Sequence, residues 1–509
     1  MPDWTYHPLR GFAAAVLGVR RSQRLALRVL AAVGGVPGGR HAVAWGLGQR
    51  RPPEELSGSV AGVPVRARVG ATVPPRVARD AVRALPLVGA GVIEVAPVGL
   101  TEVPAVRAAA AGRRVPVLAR ATGQDASAVA AALAPYVDAV VDSDTDIVRA
   151  QSVPAAARAL ADRRTTVLAT PDVLVDAGPG WFQRVLETAG TTTEDPRPGG
   201  RITLDPRRWP PWWWGVLVGA GLIAGALAAA AITLGPVLLW YDRAFLGADT
   251  DRLQAVNGHL VPFVRHDRVS LAVTMAASGV LYVGLAAGGM RRGRPLAREA
   301  YLASGLVGFP TVFYLLGTGW VEPLHLAATA ILLPMFAAAM RPDPNRPQWR
   351  LAPDGPESER RRALLGQLLL ILVGGGLVVG GAVVSTVGLT GVFVPSDLEF
   401  LGTTSAALDA HNPHLLPFIA HDRAGFGGTL MSAGTGILLL VAWAWRRGEA
   451  WVWWTLAVAA GAGFLPALVV HVVIGYVDAG HLAPVVVAAT LTTVGLALSR
   501  SYLCAPAIR

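Results

Sequence analysis

From Trp212 onward the chain carries apolar runs too long and too poor in charge for the core of an ordinary soluble domain. The first, "WWWGVLVGAGLIAGALAAAAITLGPVLLW" (212–240), contains no charged residue. A helix of about 20 such residues crosses a hydrocarbon core. Before Pro211 no uncharged run reaches that length. Eight spans are expected, roughly 213–240, 269–290, 299–317, 321–340, 366–394, 424–445, 451–475 and 480–499. The polar stretch "RPDPNRPQWRLAPDGPESERRR" divides them four and four. The back half thus reads as an all-α polytopic membrane domain of eight helices.

Arginine placement gives one orientation. Arg207 and Arg208 precede span one, "RRGRPLAR" joins spans two and three, and the six-arginine linker joins spans four and five. Arg446 and Arg447 join spans six and seven, and Arg500 and Arg509 follow span eight. All fall on one side, which the positive-inside rule makes cytoplasmic. Both termini are then cytoplasmic, and the protein is expected in a bacterial inner (plasma) membrane. The formal charge is +11, and all 45 basic residues are arginine. Their position beside apolar runs points to membrane topology, with the lipid bilayer as partner and no nucleic acid. The absence of lysine excludes chemistry that needs an amine side chain. Cys504 is the only cysteine, which excludes an internal disulfide or a CxxC site. The N-terminus lacks the basic n-region of a cleavable signal peptide.

The front half is patterned differently. Residues 1–55 form an amphipathic helical extension, in which "RSQRLALRVLAAVGG" mixes arginines with Leu25, Leu27, Val29 and Leu30. Such a helix suits a membrane surface as well as a packed core. Residues 56–195 alternate β-like runs ("GVPVRARVG", "AGVIEVAPVG", "RRVPVLARAT", "VDAVVDS", "TTVLAT") with Ala-rich helical ones. That alternation predicts an α/β domain with about five parallel strands, too short for a full eight-stranded barrel. A linker (196–212), membrane repeat 1 (213–340), a cytoplasmic linker (341–365), membrane repeat 2 (366–499) and a tail (500–509) complete the chain.

The membrane half repeats itself. "HLVPFVRHDR" (259–268) and "HLLPFIAHDR" (414–423) share seven of ten letters at an offset of 155 (414 − 259). "YDRAFLG" at Tyr241 matches "SDLEFLG" at Ser396, and "RRG" at Arg291 matches Arg446, at the same offset. "GWVEPLHL" matches "GYVDAGHL" with one extra residue, so His325 corresponds to His481. Two four-helix repeats of parallel topology follow, packed about a pseudo-two-fold along the membrane normal. Each carries an outer-face set of ionisable residues: His259, His266, Asp267, Arg268 and His325, then His414, His421, Asp422, Arg423 and His481. His411 and His471 occur only in the second copy. Ionisable groups at membrane depth are functional candidates because their burial is costly. Three histidines and an aspartate can ligate a metal, two can clamp a haem, and a histidine can exchange protons with a quinone. The structural alternative makes Asp267 and Asp422 helix N-caps, paired with Arg268 and Arg423 or leaving those arginines to lipid headgroups. No HExxH or comparable signature chooses among these.

Over residues 1–195 the order of segments resembles the membrane-associated, quinone-dependent (class 2) dihydroorotate dehydrogenases. "YHPLRGFAAAVLGVRRSQRLALRVLAAVGG" looks like their N-terminal helical extension. "VAGVPVRARVGATVPPRVARDAVRALPLVGAGVIEVAPVG" looks like their first flavin-binding strands. "GRRVPVLARATGQDASAVAAALAPYVDAVVDSDTD" and "TTVLATPDVLVDAGPGWFQRVLE" look like later strand–helix units. The resemblance implies a truncated TIM-barrel-like fold in reduced, degenerate form. It places Arg120, Ser143 and Asp144 at the flavin (FMN) position, with arginine where the family has lysine. The section with the catalytic serine and the Gly-Gly phosphate loop is largely missing, so key flavin motifs are absent. The membrane half resembles uncharacterised bacterial multi-pass membrane proteins. The resemblance implies quinone-linked membrane redox, as an oxidoreductase or as an accessory subunit among respiratory-membrane proteins. The other expectations are a scaffold or sensor with a pseudoenzyme head, and a transporter or metal- or haem-binding protein using the outer histidines.

Overall fold

The computed structural model describes residues 3–47, 52, 54–141, 146–190, 202, 204–294, 296–341 and 355–506. The chain divides into two compact units. One is Met1–Asp195 with Trp349–Leu365 and Pro506–Arg509; the other is Pro196–Gln348 with Gly366–Ala505.

The first unit is built on a six-stranded parallel sheet. A hairpin of β1 (Gly58–Val60) and β2 (Val63–Val65) precedes it. The sheet strands are β3 (Val69–Val73), β4 (Val92–Val98), β5 (Val117–Ala121), β6 (Ala139–Val140), β7 (Ile147–Arg149) and β8 (Thr166–Ala169). Their order is β6-β5-β4-β3-β8-β7. The last strand therefore lies beside the first, and the ring opens between β6 and β7: a half-barrel. Valine and isoleucine dominate these strands, as burial on both faces requires. Helices such as Pro75–Ala84 and Val103–Ala110 cover the outer face through a layer that includes Ile93, Val95, Trp181 and Phe182. Inside the ring, Val92, Leu118, Ile147 and Leu168 pack against Val60 and Val65, so the hairpin plugs one end. The sheet has six strands, where about five were expected. The extra strand, β7, has three residues and falls below the length at which alternation signals a strand.

The second unit is helical. Among the described residues, seven helices are long and apolar enough to cross a membrane: Pro211–Leu234, Leu260–Arg292, Ala297–Thr318, Glu357–Leu389, Leu415–Ala444, Ala450–Ile474 and Ala479–Leu503. The remaining expected span, 321–340, is a 17-residue apolar helix, Pro323–Ala339. This is a multi-pass, lipid-embedded protein. Two helices begin about nine residues before the expected starts of 269 and 424. The "HDR" triplets read as loop, but they lie in the second turn or later. Pro262 and Pro417 sit in the first turn, where the missing N–H costs nothing. Between the first two long helices lie short ones at Trp240–Leu246 and Thr250–Val256, matched 155 residues later by Pro395–Leu401 and Ser405–His411.

Close helix contacts recur at the same offset. A Cβ on Gly219 would come 2.7 Å from the Gly279 carbonyl oxygen, and one on Gly434 would come 2.8 Å from that of Gly374. Only glycine permits such backbone approach. The Arg294 guanidinium pairs with Glu449 at 2.7 Å, and these residues are themselves 155 apart. Contact between equivalent positions is what a two-fold axis produces.

Candidate metal centres

The geometry begins at the N-termini of helices Leu260–Val283 and Leu415–Ala444. Asn257 accepts from the His259 backbone N–H and donates to the Leu401 carbonyl at 2.7 Å. Asn412 does the same for His414 and donates to the Leu246 carbonyl at 2.8 Å. Each helix start is thereby tied to the other repeat's short helix. His259 and His414 are N-cap residues, exposed, and packed on Phe400 and Phe245 respectively. They stand apart from the buried clusters below.

More than two turns further along the same helices, the arginines cross. Arg268 donates to Asp422 at 3.0 Å, to Asp242 at 3.2 Å and to the Val237 carbonyl at 2.6 Å. Arg423 donates to Asp267 at 2.9 Å, to Asp397 at 2.5 Å and to the Val392 carbonyl at 2.8 Å. Each guanidinium also lies over a phenylalanine, Phe418 or Phe263. Val237 and Val392 both have φ of +64°, which is costly for a β-branched residue. Each strained carbonyl is held by an arginine. Asp267 and Asp422 are therefore interior helix residues bonded across the repeats, not the N-caps anticipated. A cap needs non-helical backbone, and here the helix has already begun. The cap role falls to other acids: Asp242 and Asp397 accept from Leu239 and Val394, and Glu322 and Asp478 from His325 and His481.

The histidines converge in two groups, each mixing the repeats. The first is His266, His471 and His481; the second is Glu322, His325 and His421. Within each group the ligating atoms lie within 4.8 Å of one another. In the first, two Nδ1 protons are placed by their acceptors. His266 Nδ1 donates to Asp267 at 2.9 Å, and His471 Nδ1 donates to the Ala467 carbonyl at 2.6 Å. The Tyr476 hydroxyl lies 2.8 Å from Asp397, 3.0 Å from Ser396 and 3.4 Å from His481 Nδ1. The Nε2 atoms of His266 and His471 turn inward and are 2.9 Å apart. A proton or a metal ion has to lie between them, and an outer acceptor on the far nitrogen is the usual support of a metal-bound histidine.

The second group has a carboxylate in place of the third imidazole. Glu322 accepts from the Tyr241 hydroxyl at 2.6 Å and, through its other oxygen, from the His325 backbone N–H at 2.7 Å. Burial, with Glu322 as the acceptor, pushes the Tyr241 phenol far above its ordinary range, so it stays a donor. Burial likewise raises Tyr476. The hydroxyl has changed element between the copies: Tyr241 aligns with Ser396, and Trp320 with Tyr476.

Two arginines are shared among four aspartates (Asp242, Asp267, Asp397, Asp422), each guanidinium bridging two of them.

Of the residues expected at a site, His266, Asp267, Arg268, His325, His421, Asp422, Arg423 and His481 are brought together. Glu322, Tyr241, Tyr476, Asp242 and Asp397 join them, although all lie in the repeat blocks or beside them. His471 had one signal, a lone histidine in the apolar run "ALVVHVVIGY".

In the α/β unit, Arg120 on β5 donates to Glu94 on β4 at 2.8 Å. Thr72 and Arg149 reach the same fully buried carboxylate at 2.7 and 3.0 Å. The Arg120 charge is thus engaged inside the ring. Ser143 and Asp144 lie outside the described residues. Comparison of the chain with family models, with curated proteins and with solved structures returns no match.

Proposed function

We propose that this is a divalent-metal-binding protein of the bacterial plasma membrane, with its metal centres near the outer face. The reading is carried by the imidazoles of His266, His471 and His481, whose ligating atoms lie within 4.8 Å of one another while Nδ1 of His266 and of His471 is held by an acceptor. Three imidazoles suit zinc, copper, nickel or iron, and Glu-His₂ is a recurrent set for exchangeable zinc. In this reading the membrane half is a duplicated four-helix module of eight spans, with Pro323–Ala339 as the fourth. The helix ends paired at the 155-residue offset support that architecture. The arginine-rich segments then face the cytoplasm with both termini and the α/β unit.

That unit serves as a non-catalytic head in this reading, a reduced relative of the dihydroorotate dehydrogenase barrel. Arg120 is committed to Glu94, and the phosphate loop is missing. Haem between His266 and His471 is disfavoured, because a porphyrin needs a slot between its axial imidazoles and the facing nitrogens are 2.9 Å apart. The test is elemental analysis and absorption spectroscopy of the full-length protein purified in mild detergent. Two transition-metal ions per chain, removable by a chelator and restored on readdition, are expected. A preparation that binds no divalent metal, or one that carries flavin or quinone in stoichiometric amount instead, overturns the reading in favour of quinone-linked redox.

A further inference from the structure

The two histidine groups differ in their surroundings. The first is completed by His471, from the unbroken helix Ala450–Ile474. In the first repeat the matching helix stops at Gly308, and a 3-10 turn, Phe309–Phe313, follows. The sequences explain the break: "GFP" at Gly308 stands against "GFLP" at Gly463, and past that extra residue Leu315 aligns with His471. The second group therefore has two imidazoles and Glu322, and it faces open space. A cavity of about 260 Å³ adjoins it, bounded at one end by Tyr241, Arg268, Glu322, His325, His421 and Asp422. The remaining wall is mostly apolar, with Leu222, Ile232, Leu271, Met275, Phe309 and Leu332. Leu324 belongs to this wall and is 44% exposed, so the cavity's rim reaches the surface of the helical unit beside a helix whose outer face is apolar.

We propose that Glu322, His325 and His421 hold their metal with one coordination position open to this cavity, for the head of an amphiphile entering from the bilayer. The ligand class follows from the lining. The apolar wall takes a hydrocarbon body. The polar end offers a metal ion as Lewis acid, beside the Arg268 guanidinium and the Tyr241 ring. A neutral or singly anionic oxygen head, hydroxyl or carbonyl, suits that end. Three protein ligands with a fourth position left open is the arrangement of exchangeable rather than structural sites. The first group also offers three protein ligands, so the adjoining cavity, and not the ligand count, sets the second group apart.

This inference rests on the metal reading above, and the experiment separates the two. The full-length protein in nanodiscs is loaded with Co²⁺, and its visible d–d absorption is titrated with dodecyl hydroxamate and with acetohydroxamate. Dodecyl hydroxamate is expected to change roughly half of the cobalt signal, at a concentration at least ten-fold lower than acetohydroxamate requires. His421→Ala should abolish that response and keep the cobalt bound at the other group. Ala229→Trp, which narrows the apolar wall, should weaken the response about ten-fold with cobalt content unchanged. Equal potency of the two hydroxamates, or a response that survives His421→Ala, overturns the cavity inference alone. Absence of any cobalt band overturns the metal reading itself.

Discussion

Arg423 meets Asp267 at 2.9 Å, although 156 residues of chain separate them and each belongs to a different copy of the repeated decapeptide. Its counterpart, Arg268 with Asp422 at 3.0 Å, makes the crossing reciprocal. All four side chains are nearly removed from solvent. Breaking one partner of a buried pair costs about 3–5 kcal/mol, because the other charge stays buried. Asp267→Asn is therefore expected to destabilise the protein by that order, read as a lower unfolding temperature in detergent. Arg423→Gln also takes a donor from Asp397 and the Val392 carbonyl, so the pair is read from a double-mutant cycle: the loss in the double variant should fall short of the sum of the two single losses. Strict additivity would show that the two residues do not act as a pair.

The exposed and buried histidines of the decapeptide should behave oppositely. His259→Ala and His414→Ala remove N-cap side chains that sit over Phe400 and Phe245. They should leave metal content unchanged and cost less than about 1 kcal/mol. His266→Ala and His421→Ala should each remove one metal ion of two. Metal analysis of the four variants distinguishes the outcomes, and equal loss from His259→Ala would move the site to the helix caps.

The membrane character of the back half was legible in the sequence, and so was the duplicated decapeptide. What the sequence did not carry was the crossing. An offset of 155 says that His266 and His421 are equivalent, and it invites grouping His266 with His325 of its own copy. The fold instead brings His266 to His481 and His421 to His325, because each decapeptide helix packs against the other repeat. That is a tertiary relationship without a local signal. The helix starts were misplaced for a similar reason: a His-Asp-Arg triplet resembles a polar loop until its charges find partners inside. In the glycine run "VGGGLVVGGA", Gly374 and Gly381 lie against the backbone of helix Leu415–Ala444.

In the α/β unit, Glu94 is the residue on which the ring's interior polarity depends. It takes hydrogen bonds from Thr72, Arg120 and Arg149, which lie on three different strands. Glu94→Ala leaves these donors facing an apolar interior and should destabilise the unit by about 3–5 kcal/mol. Glu94→Gln keeps the shape but loses charge assistance, and a smaller cost of roughly 1–3 kcal/mol is expected. Because the chain has two units, the readout is protection of β3–β5 amides by hydrogen exchange in the full-length protein. Equal protection in wild type and Glu94→Ala would show that the carboxylate contributes nothing to the ring.

Docking of the first helix should depend on pH. His7, on helix Asp3–Leu17, accepts from Arg360 through Nε2 at 2.9 Å, and Arg360 also donates to Asp3 at 2.9 Å and to the Ala177 carbonyl at 3.1 Å. Burial, then the Arg360 charge, lowers the His7 pKa below its ordinary 6.5, against the opposing effects of Asp3, the Ala177 carbonyl and Glu357. A histidine with a depressed folded pKa binds fewer protons folded than unfolded. Its contribution is complete above 6.5 and is lost as pH falls from 6.5 toward the folded value. Hydrogen-exchange protection of residues 3–17, corrected for intrinsic rates, should therefore fall between about pH 7.5 and about pH 5. His7→Gln keeps an acceptor that cannot titrate, so it should flatten this dependence while preserving protection at the higher pH. Loss of protection with the same pH profile in His7→Gln would assign the effect to another group.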